Sequence, residues 1–387
     1  MRLPRLVTAS AVTSMLLIAG SAGCTSDHDE TGTTGTVVIG ADLDSSSTVD
    51  KAYARALELR IEQVNASGQL GNQKLVLRTW DNHADPTASL RNISAFADDP
   101  AIGAVVTGSC DECVVGAAKT INDKQLPTIA LAAADDVTTP VTERRYVFKL
   151  GPNSADSAAA LIAELTRLKT TNVAILYSDD LYGRGSRNAV RAALEKTDIQ
   201  IRTTRAIKPT ADDISETVSA VSAVKPAALL VLTAPEQATL AATSAKTAGY
   251  TGRIFFDAAA ASDLFIAPAA AAATNDTTMV FTQILAIDDV IATTPAKSSR
   301  KQWFRDYTSR YGSYSGVAAF GGDAIDLIAD AVARVGADRD RIRDILETSQ
   351  TDGLSGPIRL TPDNHSGLMP QALTLLVARA GRWRLAS

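Results

Sequence analysis

Short, wholly apolar runs alternate with helically spaced apolar positions along most of this chain. Residues 36–41 (TVVIGA) read as a buried strand, followed by a helix with Tyr53, Leu57, Ile61 and Val64 on one face. Residues 74–80 predict a second strand, 86–99 a second helix, and 102–107 (IGAVVT) a third strand. After a turn at Gly108 a helix starts near Cys113, and strands follow at 127–132 and 146–150. Buried strands linked by helices are the pattern of parallel βαβ units, so the first 150 residues predict a doubly wound sheet. Ligands of such sheets sit beyond the carboxyl ends of the strands, which places residues 108–113 at a candidate site.

The breaker cluster Gly151-Pro152-Asn153-Ser154 precedes a second round of the same alternation. Strands are expected at 172–177, 201–207, 227–233, 253–256 and 278–283, with helices between them. A helix carrying Trp303, Phe304, Tyr307 and Tyr311 and another carrying Ile325, Ile328, Val332 and Val335 look like a return to the first sheet. Strands at 356–360 and 372–378 are assigned to the second. The fold class is therefore α/β, with two doubly wound lobes joined by three crossovers. Residues 36–150 with 285–355 form the N-terminal lobe, and 151–284 with 356–387 the C-terminal lobe. The aromatic helix around Trp303 reads as core, and Asp323, after Gly321-Gly322, as a helix cap.

The N-terminus carries a different pattern. Arg2 and Arg5 precede an apolar stretch too short to span a bilayer, and small residues lead to Cys24. Residues 1–23 are thus expected to be a signal peptide. Ala22-Gly23-Cys24 resembles a bacterial lipobox, which makes Cys24 a candidate for lipidation and residues 24–35, polar and without periodicity, a lipid-anchored tether. Ser21 stands where a leucine is usual, so simple secretion is the alternative. Either way the protein is extracytoplasmic. In an oxidising space the remaining pair, Cys110 and Cys113, suits a disulfide; a redox-active CxxC or half a metal site are the rival readings.

A net charge of −5 and 5% aromatic residues, with no basic stripe, exclude a nucleic-acid partner. The three histidines, His28, His83 and His365, and the lack of a second cysteine pair speak against a metal, and no cofactor is expected. G-x-S-x-G, G-x-G-x-x-G, P-loop and HExxH signatures are all missing, so the chain is not read as an enzyme.

Several pieces in order then match a family. Val38-Ile39-Gly40, Ile61-Glu62-Gln63-Val64-Asn65-Ala66-Ser67-Gly68, Trp80-Asp81-Asn82 with Asp85-Pro86, Ala174-Ile175-Leu176-Tyr177 with Tyr182-Gly183-Arg184-Gly185, and Leu354-Ser355-Gly356-Pro357-Ile358 carry it. Over essentially all of residues 36–384 the chain resembles the type I periplasmic binding proteins of the branched-chain amino acid (leucine, isoleucine, valine) class of ABC transporters. The resemblance implies two hinged lobes closing on one small polar ligand and a monomer that delivers it to an ABC permease. A sensor or adaptor acting on a membrane receptor is the alternative. By position in the family, the ligand-binding candidates are Ser109, Cys113, Ala132, Ala134, Tyr182 and Asp257. The match departs where the ligand would lie: a serine-rich turn becomes Cys110-Asp111-Glu112-Cys113, and the carboxylate position falls near Asp257-Ala258-Ala259. Asp111 and Glu112 read as exposed turn charges that would repel a ligand carboxylate.

Overall fold

A computed structural model describes residues 35–386. The first lobe is built on β1 (Gly35–Leu43), β2 (Gln73–Asp81), β3 (Ile102–Thr107), β4 (Thr128–Ala130) and β5 (Val147–Lys149). All five are parallel, in the order β2-β1-β3-β4-β5. α1 (Thr48–Ser67) covers one face, while α2 (Pro86–Asp98) and α3 (Asp111–Asp123) cover the other. Strand β1 shows why its sequence is a continuous apolar run. Val37, Ile39, Ala41 and Leu43 pack on the α1 side and Val38 on the α2/α3 side, so both faces are buried.

The chain then crosses to a second lobe: α4 (Ser154–Arg167), β6 (Asn172–Ser178), α5 (Leu181–Leu194), β7 (Gln200–Ile207), α6 (Ser215–Ala223), β8 (Ala228–Leu232), α7 (Pro235–Thr247), β9 (Arg253–Phe256), α8 (Pro268–Thr274) and β10 (Thr278–Thr282). It returns through α9 (Pro295–Tyr311), α10 (Ala318–Val335) and α11 (Arg339–Leu346), of which α10 packs on α1 and α11 against β3. A hairpin of β11 (Gln350–Asp352) and β12 (Pro357–Arg359) follows, and the last crossing delivers β13 (Leu373–Arg379) and β14 (Arg382–Leu385) to the second sheet. That sheet runs β14-β13-β10-β9-β8-β6-β7, parallel except for the two C-terminal strands. Two doubly wound lobes joined by three crossovers are thus present, as the periodicity predicts.

Two details differ from expectation. The strand predicted at 356–360 does not join the second sheet; β12 pairs with β11, while His365 stacks on Phe148 of β5 at 4.4 Å. Asp323 is no cap: α10 begins five residues earlier and runs through Gly321-Gly322. Those glycines are there for close packing, since a Cβ on Gly321 would lie 3.0 Å from Ala56 Cβ and one on Gly322 2.6 Å from Leu354 Cδ1. The buried Asp323 carboxylate instead accepts from Leu354 N, Ser355 N and Ser355 Oγ (2.5, 2.8 and 2.6 Å), fixing the turn of the hairpin. Trp303, in contrast, is core as read.

Candidate functional site

The carboxyl ends of β1, β3, β4, β6, β8 and β9 face a cavity of about 510 Å³ between the two lobes. Its size falls within the range of small-molecule sites. The loops that form it are held by buried carboxylates. Asp50, in the first turn of α1, accepts from Asp44 N (2.8 Å) and Ser109 N (2.9 Å), tying the loop after β1 to the loop after β3. Gly108 is required beside it, because a Cβ there would sit 2.1 Å from Asp50 Oδ2. Burial holds the Asp50 carboxyl above the ordinary carboxylate range.

Asp111 does the same for the loop after β4. Its Oδ1 accepts from Ala133 N (2.8 Å) and Ala134 N (2.7 Å), and the residue is only 8% exposed. The expectation of an exposed turn charge is therefore corrected. The helix starts at Asp111, which turns this side chain inward, and burial pushes its carboxyl up to about 7. Glu112 does stay exposed, and its Oε1 accepts from Leu181 N across the cleft at 3.2 Å. A second bond across the cleft runs from Thr48 Oγ1 to Glu236 Oε1 at 2.7 Å.

Cys110 and Cys113 form a disulfide, and Cys110 Sγ also accepts from Cys113 N as the cap of α3. Closing so small a loop adds at most about 2 kcal/mol in the chain-entropy model. Because serine is a good cap, the double variant Cys110→Ser, Cys113→Ser is expected to lose less than that in urea unfolding. Cys24 lies outside the described residues.

Of the six ligand-binding candidates, the structure places Ser109 and Tyr182 on the cavity wall. Ala132 and Ala134 are in the core instead, packed in the cluster that contains Val114 and the Tyr182 ring, and Cys113 is buried as well. Alternation beyond the end of β4 turns Ala133, not its neighbours, toward the cavity. Asp257 sits one layer behind the wall. It is fully buried, and its Oδ2 accepts from Tyr182 Oη (2.6 Å) and Ser186 Oγ (2.7 Å). The resemblance places it on the ligand, whereas the fold puts Ala258 and Ala259 on the wall and buries the carboxylate behind them. Tyr182 therefore joins the lobes: its ring packs into the first and its hydroxyl donates to the second. Asp44, Asp180, Glu236 and Gln237 also line the cavity and were not singled out in the sequence. Their only signal was position, immediately after a strand or at a helix start.

A family model described as periplasmic binding protein matches residues 38–382, nearly the whole described chain. The chain belongs to the periplasmic binding protein family. Members of that family are solute-binding proteins, and the interlobe cavity is where this periplasmic binding protein has room for a solute. An amino acid binding protein of Pseudomonas aeruginosa is 24% identical over 167 residues, 42% of this chain and 44% of the relative, so the match spans less than half of that relative's length. Among solved structures, an extracellular ligand-binding receptor from Rhodopseudomonas palustris HaA2 has a TM-score of 0.81 at 19% identity, covering 90% of this chain and 99% of that one. A leucine binding protein from Thermotoga maritima has a TM-score of 0.76 at 19% identity, covering 91% and 98%. These likenesses establish the fold. Among the described residues no cluster of His, Cys, Asp and Glu suited to a metal ion occurs, and no helix is long and apolar enough to cross a membrane.

Proposed function

We propose that this chain is an exported, Cys24-lipidated solute-binding protein that captures a small polar ligand between its lobes and delivers it to an ABC permease. The observation that carries this reading is the 510 Å³ cavity walled by loops of both sheets. A ligand touching both walls favours the closed arrangement over the open one, and three crossovers are the hinge about which the lobes turn. The lobes in this reading are residues 36–150 with 285–355 and 151–284 with the C-terminal strands. The name of the Pseudomonas relative supports a nitrogen-bearing solute.

Two measurements test it. Small-angle scattering should show a smaller radius of gyration when a ligand is added that also raises the melting temperature; at 100 times its Kd such a ligand stabilises by about 2.7 kcal/mol. A ligand that stabilises without any compaction would sink the closure mechanism. For the anchor, the protein should fractionate with membranes and Cys24→Ala should release it to the soluble fraction. Equal partition of both forms would remove the lipoprotein assignment.

A further inference from the structure

The chemistry of the cavity wall narrows the solute. Five carboxylates line it, Asp44, Asp111, Glu112, Asp180 and Glu236, and no Lys, Arg or His does. In each of the five, one oxygen is engaged by the protein. Asp44 Oδ1 holds Ser46, Asp111 Oδ1 holds Ala133 and Ala134, Asp180 Oδ1 holds Ser178 and Gly183, Glu112 Oε1 holds Leu181, and Glu236 Oε1 holds Thr48. The other oxygen of each has no hydrogen-bond partner among the described residues. Asp111 is more than nine-tenths buried and still leaves Oδ2 unpartnered at the wall, where a cation beside it would favour the ionised form. Lys149, whose charge reaches Asp111, directs its ammonium to Asp135 Oδ1 at 2.8 Å instead.

Donors show the converse. The N–H groups of Ala133 and Ala134 are taken by Asp111, and those of Asp44 and Ser109 by Asp50. The hydroxyls of Tyr53, Ser178 and Tyr182 donate to Leu131 O, Asp180 and Asp257. Helices α1, α3, α5 and α7 all begin at the cavity, but each end carries roughly half a positive charge, about +2 against Asp44, Glu112, Asp180 and Glu236, with Asp111 a fifth acid when ionised. A ligand carboxylate would meet five acidic side chains and few donors, Ser47 Oγ and the uncapped start of α7 among them, whereas an ammonium or guanidinium group would meet acceptors on both lobes.

Resting on the solute-binding reading, we propose that the cleft takes a small organic cation, an amine or guanidinium compound that carries no carboxylate. Putrescine, spermidine, agmatine and choline, with leucine and valine as zwitterions, acetamide as a neutral amide and glutarate as an anion, form the test panel for thermal shift and titration calorimetry. At least one cation is expected to bind, and Glu236→Gln and Glu112→Gln, both at exposed positions, each to weaken it about tenfold while circular dichroism stays unchanged. Binding of leucine, valine, acetamide or glutarate with no response to the cations would overturn the cation assignment and leave the solute-binding reading standing. A cation that binds both variants as tightly as the parent lies outside the cleft and overturns it too. Silence across all four charge classes would overturn both readings.

Discussion

Replacing Lys149 by methionine is expected to lower the unfolding free energy by about 2 kcal/mol and to loosen the wall of the cleft. Lys149 ends β5, its side chain is 0% exposed, and its ammonium donates to Asp135 Oδ1 (2.8 Å), Ala133 O (3.1 Å) and Pro152 O (3.3 Å). Its backbone is tied as well: Lys149 N donates to His365 O, and Gly367 N donates to Lys149 O. One residue thus joins the cavity loop after β4, the first crossover at Pro152 and the segment leading into the last crossover. Methionine keeps the stem packing and removes the three charged hydrogen bonds. The Asp135 share is small, because that carboxylate is 40% exposed and regains water. Relief of the buried charge offsets part of the rest. The two carbonyls left without a donor set the net loss, and Lys149→Ala should lose more because it also opens a cavity. Urea unfolding checks this: the midpoint should fall at constant m-value. A methionine variant as stable as the parent would show that the ammonium is not what holds the crossovers together.

The sheets were legible in the sequence because parallel strands are buried on both faces, and runs such as IGAVVT and AALLVLT have no other common use in a soluble chain. Edges were less so. Strand β14 (RWRL) is half polar and, like β11, carries no apolar run. The site was legible as a place but not as a set of contacts. Asp111 lies in a CDEC turn, and nothing in that turn reveals the two N–H groups, 22 and 23 residues further on, that draw its carboxylate inward. Ala132 and Ala134 were chosen by family position, and one residue of alternation separates them from Ala133 on the wall. Asp257, like them, is a candidate by family position alone. Only the fold brings Ser186 and Tyr182 onto the same carboxylate oxygen.

Those buried carboxylates give the second large expectation: the protein should lose stability as pH rises from about 4 to 7, and Asp257→Asn should flatten that decline. Burial pushes the carboxyls of Asp111, Asp257 and Asp323 each up to about 7, from 3.8 for the group in water. Between those two values the folded chain keeps the proton and the unfolded chain has already released it. The contribution is therefore fully present below pH 4 and lost as pH rises through 7, with a slope of up to about 1.4 kcal/mol per pH unit for each group. Acids nearer the surface such as Asp81, Asp85 and Asp99, held below the ordinary range by their hydrogen bonds, act in the opposite direction and only at lower pH. The parent curve sums both sets, so the informative quantity is the difference between parent and variant. Asparagine at 257 still receives the hydroxyls of Tyr182 and Ser186 through its carbonyl oxygen, and it cannot titrate. Melting temperatures from pH 4 to 8 should therefore converge for parent and Asp257→Asn toward pH 4 and separate in favour of the variant toward pH 8. Parallel curves would mean that Asp257 titrates alike in the folded and unfolded chains, contrary to its complete burial beneath the Ala258-Ala259 turn.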